Sequence, residues 1–128
     1  MAFWITPRLG ARAETEATDR GAIVINVSDL RDASNNTDVI AEKLIVGLDL
    51  LRNFTHTRVL IECKGGISRS PTIAAGILAM YKDVDLDTCL GEVAHKIPRA
   101  QYNYDLVDSL KKTLKSMAKY RHLVEDYP

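Results

Sequence analysis

Two short runs of consecutive apolar residues, Ile23-Val24-Ile25-Asn26-Val27 and Val59-Leu60-Ile61, follow neither a helical repeat nor a strict polar alternation. Rich in β-branched side chains, they predict strands buried on both faces. Phe3-Trp4-Ile5 predicts a third strand. Between the two runs, Ile40, Leu44, Leu48 and Leu51 recur at spacings of four, four and three, one face of a helix that starts near the capping candidates Asn36, Thr37 and Asp38. A strand, helix, strand unit favours parallel neighbours joined by a right-handed crossover. The stretch from Pro71 to Tyr81 is apolar almost all round and predicts a central, buried helix, with Pro71 in the first turn, where a missing N–H does no harm. Leu86, Cys89, Leu90, Val93 and Ile97 mark another amphipathic helix. Leu106, Val107, Leu110, Leu114 and Met117 mark a C-terminal one, and the tail 125–128 is expected to fray. The fold class that follows is α/β: a mainly parallel central sheet flanked by helices.

A length of 128 residues implies a single domain over 1–128. With 46% hydrophobic and 27% charged residues, disordered, collagenous and coiled-coil readings are excluded. Seventeen basic side chains balance seventeen acidic ones, which removes the broad positive field that nucleic acid or an anionic membrane would need as partner. An anion site must therefore be local. Two cysteines without a CxxC pair indicate neither a disulfide framework nor a metal site, and a cytoplasmic location is expected. No apolar stretch reaches the roughly 18 residues of a membrane span, and no secretory signal is visible.

The chemistry concentrates at 62–70, Glu-Cys-Lys-Gly-Gly-Ile-Ser-Arg-Ser. Cys63 ends a buried strand, and a glycine-containing turn leads from it into a helix, the place where open α/β sheets bind ligands. Backbone N–H groups of the turn and the helix N-terminus favour an anion and would stabilise a thiolate, the nucleophilic form of cysteine. Arg69 can present its planar fork to two phosphate oxygens.

These residues resemble the cysteine, five residues, arginine, serine/threonine loop of the cysteine-based protein tyrosine phosphatases. Gly66 with Ser68-Arg69-Ser70 is similar to the dual-specificity branch. Arg99-Ala100 and Asn103 resemble the stretch before the family's final helix, so the likeness covers roughly residues 22 to 115. It implies a shortened phosphatase domain that hydrolyses phosphotyrosine in a phosphorylated protein substrate, with phosphoserine and phosphothreonine left open, and needs no metal or other cofactor. Cys63 would form a phosphocysteine. Arg69 and the loop Lys64, Gly65, Gly66, Ile67 and Ser68 would hold the phosphate, and Ser70 would stabilise the departing thiolate. An upstream aspartate would act as general acid: Asp29 follows a strand directly and is preferred, while Asp32 has the more usual separation from the cysteine. Glu62 stands where the family has His, and a carboxylate aimed at the sulfur would disfavour the thiolate. The family's middle strand and the strand entering its acid loop both resemble residues 21–29, so the two are expected to be merged or one of them deleted.

Two rival readings stand beside this one. A catalytically silent phosphate-binding module would keep the loop and lose the chemistry. A phosphatase acting on inositol phosphates, phosphoinositides or RNA 5′-phosphates would use Lys64 as extra charge. Cys89 lies on an apolar helix face and reads as a core thiol. His56, His95 and His122 join no triad, and Lys111, Lys112, Lys115, Lys119 and Arg121 read as a solvated face of the last helix. Asn103 is expected to cap that helix, and Gln101 and Asn103 could position water. The oligomeric state is left open.

Overall fold

Leu9-Gly10-Ala11-Arg12-Ala13 contains no branched or aromatic β-former, yet all five residues are buried in a strand. The computed structural model describes residues 2–14 and 21–125. Along them run β1 (Phe3–Trp4), β2 (Leu9–Ala13), β3 (Ala22–Asn26), α1 (Thr37–Asn53), β4 (Arg58–Cys63), α2 (Arg69–Lys82), α3 (Leu86–Lys96) and α4 (Tyr104–Glu125). The strands form one sheet in the order β1-β2-β4-β3, with β2 and β3 each parallel to β4 and β1 antiparallel at the edge. The mainly parallel α/β architecture expected from the sequence is present.

β2 is the strand that the apolar pattern did not show. Its small side chains carry little β-propensity, whereas close approach is what its position demands. A Cβ on Gly10 would lie 2.8 Å from the Phe3 carbonyl oxygen and 2.9 Å from the Trp4 ring, so β1 can pair tightly only over glycine. β3 leads straight into a turn over 27–30, with no further strand before α1, so one strand serves both parts of the expected pattern.

The helix readings hold. Asn36 caps α1 by accepting from the Asp38 N–H at 2.8 Å, and Ile40, Leu44, Leu48 and Leu51 are buried. α2 is buried from Ser70 to Ala79 and packs on β2, β4 and the other three helices. Leu9, Ala11, Ile25, Val59, Ile61 and Cys63 face the main apolar cluster with Ile73, Ile77 and Leu110. By alternation, Gly10, Arg12, Asn26, Leu60 and Glu62 take the opposite face of the sheet. Asn103 caps α4, accepting from the N–H groups of Asp105 at 3.0 Å and Leu106 at 3.2 Å. Of the tail expected to fray, 126–128 lie outside the described residues.

Candidate active site

Because β2, β3 and β4 run parallel, their C-terminal ends converge, and the functional candidates follow from that edge. Cys63 is the last residue of β4, paired with Ala13 of β2 and only 2% exposed. The chain then curls back over its own sulfur. The Gly66 N–H donates to Sγ at 3.2 Å, and the Cys63 thiol meets the fully buried Ser70 hydroxyl at 3.3 Å. With the thiol ionised the second contact reverses direction, the hydroxyl donating to the sulfur. Gly66 has φ +67°, and a Cβ there would lie 2.8 Å from the Ala13 nitrogen, so both the conformation and the space require glycine.

Ser68 ties the loop to its surroundings. Its hydroxyl donates to Asp32 Oδ1 at 2.6 Å and accepts from the Asn103 N–H at 3.3 Å. The Gln101 N–H donates to the Ile67 carbonyl at 2.9 Å, fixing the loop to the segment before α4. α2 begins at Arg69 and directs the positive end of its dipole at the loop. Arg69 Nη1 donates to the carbonyls of Ser28 at 2.8 Å and Leu30 at 3.0 Å, on either side of Asp29. Lys64, Gly65 and Ile67 are exposed around the rim.

Both candidate acids are exposed on the same segment and have different partners. Asp29 pairs with Lys43 at 3.2 Å, and Asp32 receives the Ser68 hydroxyl. Glu62 does not face the sulfur. Alternation puts it on the other side of β4, where Arg12 Nη2 approaches its carboxylate to 2.6 Å with both side chains nearly buried. The carboxylate of Glu62, beside Cys63 in the chain, is thus matched by a guanidinium. Neither Arg12 nor Asn26 stood out in the sequence, because a lone polar residue in a strand carries no motif.

No protein-family model and no curated protein matches the sequence. Solved structures do match over nearly the whole chain. Human DUSP28 superposes with a TM-score of 0.77 at 16% identity, over 93% of this chain and 99% of that one. Tk-PTP in the active form gives 0.70 at 21% identity, over 89% and 96%. The chain has the dual-specificity phosphatase fold. A human tyrosine phosphatase-like serine/threonine/tyrosine-interacting protein shares this fold too, with a TM-score of 0.73 at 13% identity over 91% and 97% of the two chains.

Outside the loop, the remaining candidates have ordinary surroundings. Cys89 is fully buried, and burial pushes its thiol up from the usual value, away from reactivity. His56 and His95 are exposed. Lys111 pairs with Asp87 and Lys112 with Asp108, each at 3.2 Å, as on a solvated helix face, while the side chains of Lys119, Arg121 and His122 lie outside the described residues. Among the described residues no helix is long and apolar enough to cross a membrane, and no three His, Cys, Asp or Glu side chains gather as metal ligands.

Proposed function

We propose that the chain is a phosphomonoester hydrolase that removes phosphate from phosphotyrosine in proteins through a phosphocysteine. The observation that carries this reading is the sulfur of Cys63 enclosed by its own loop, with the Gly66 N–H and the Ser70 hydroxyl on it and Arg69 opening the adjoining helix. Both bonds from Arg69 to the 28–30 turn use Nη1. Among the described residues this leaves the Nε–Nη2 edge for two phosphate oxygens in the bidentate manner.

In the first step the Cys63 thiolate attacks phosphorus, the bond to the leaving oxygen breaks, and an aspartate of the 28–32 segment supplies that oxygen with a proton. Arg69 and the loop N–H groups take up the charge on the equatorial oxygens. In the second step the carboxylate removes a proton from water, the water oxygen attacks phosphorus, and the thiolate departs onto the Ser70 hydroxyl with release of inorganic phosphate. Phosphoserine and phosphothreonine fit the same steps if the rim admits the shorter side chains. The exposed Lys64 is the feature that favours a polyanionic substrate instead.

The test is hydrolysis of p-nitrophenyl phosphate in EDTA by the wild type and Cys63→Ser, across pH from about 5 to 8, a range that spans lowered thiol pKa values. Turnover by the wild type and none by Cys63→Ser is expected. Absent turnover, with vanadate still bound in an Arg69-dependent way, would overturn the reading in favour of a silent phosphate-recognition module.

A further inference from the structure

On the face of the sheet opposite Cys63, hydrogen bonds run without a break from β2 to the turn that carries the aspartates. Strand register sets Arg12, Glu62 and Asn26 side by side across β2, β4 and β3. Arg12 pairs with Glu62, and Asn26 Nδ2 donates to Glu62 Oε1 at 2.9 Å. The same nitrogen donates to Glu14 Oε1 at 3.1 Å, which also accepts the Ser28 hydroxyl at 2.5 Å. Asn26 Oδ1 accepts the Ser28 N–H at 2.8 Å. Ser28 is therefore held at its hydroxyl and its N–H, while its carbonyl receives Arg69.

Asn26 is the residue on which these bonds meet, and its chemistry fits the position closely. Two carboxylates flank its side chain and require a donor, while the Ser28 N–H beside them requires an acceptor; a planar amide supplies both. Aspartate at this place would bring three carboxylates together. The backbone carbonyl of Asn26 adds one more link, accepting from Lys43, which pairs with Asp29. Val27 and Leu30 anchor the turn in the core, but Ser28 is only partly buried and Asp29 and Asp32 are exposed; these polar contacts set Ser28 and the start of the turn, while Asp32 is held further by the Ser68 hydroxyl and its neighbour Arg31 by Asn35 Oδ1, which accepts the Arg31 N–H at 2.8 Å. Displacement of a reacting group by about 1 Å can cost roughly 100-fold in rate.

We propose that Asn26 is a positioning residue for phosphoryl transfer: through Ser28 it sets the turn that presents the aspartates to the leaving group. This inference rests on the phosphatase reading above. Its signature is dependence on the leaving group, since p-nitrophenolate departs with little help from an acid and phenolate needs a well-placed proton. Asn26→Ala should lower kcat/KM, which reports the step that expels the leaving group, by about 30-fold or more on phenyl phosphate and by only about threefold on p-nitrophenyl phosphate. Glu14→Ala, at the exposed exit of β2, keeps the test open should Asn26→Ala fold poorly, and should skew the two substrates in the same direction by a smaller factor. Equal losses on both substrates, or no loss on either, in a variant with a normal thermal transition would overturn the inference and leave the phosphatase reading intact. A wild type inactive on both substrates would overturn the phosphatase reading and this inference with it.

Discussion

Asp29 and Asp32 sit on one exposed segment, and their partners separate them. The Asp29 carboxylate must leave Lys43 to reach a substrate, whereas Asp32 already touches a hydroxyl of the loop that would hold the phosphate. We therefore expect Asp32→Asn to lower kcat on phenyl phosphate by about 100-fold and Asp29→Asn by at most about threefold, in keeping with the usual contribution of a general acid. The opposite ranking in steady-state assays would give the role to Asp29, the residue that the strand-then-aspartate pattern favoured. At this scale the sequence was legible where a motif fixes spacing: Cys63, Gly66, Ser68, Arg69 and Ser70 lie on one local loop and needed no knowledge of the fold. Arg12, Glu14 and Asn26 are brought together only by register between distant strands, and no local pattern encodes that.

Elements were readable where apolar side chains either repeat at a helical spacing or run together. α1, α3 and α4 show clear apolar faces, and β3 and β4 are runs of branched residues, so all five could be placed. β2 could not, because its role is to be thin. The bend that returns α1 to β4 was equally hidden, since it depends on a residue 43 to 49 positions away. Arg8 donates to the carbonyls of Leu51 at 3.1 Å, Phe54 at 2.7 Å and Thr57 at 2.9 Å, closing the C-terminal end of α1 with one guanidinium. Arg8→Met keeps the apolar stem and removes these bonds and the favourable charge at the helix terminus. A loss of about 2 kcal/mol in urea unfolding, at unchanged m value, is expected from hydrogen bonds with a charged donor.

Across the whole molecule, the segment before α4 joins the helical layer to the loop, and Tyr102 holds it down. Its hydroxyl donates to the Leu90 carbonyl at 2.6 Å, and burial pushes its pKa up to about 12 from an ordinary value of 10.0. The folded pKa lies above the unfolded one, so the contribution is fully present below pH 10.0 and is lost as pH rises to about 12. Thermal unfolding followed over that range should show a steeper fall in Tm for the wild type than for Tyr102→Phe. Equal slopes would mean that the hydroxyl is solvated. One feature of the sheet also limits how this sequence can drift. Arg12 and Glu62 lie 2.6 Å apart with little access to water, and losing either partner of such a pair leaves a nearly buried charge at a cost of roughly 3 to 5 kcal/mol. Two codons 50 positions apart are therefore epistatic, and a lineage that replaced Glu62 by an uncharged residue would have to revise β2 in the same episode.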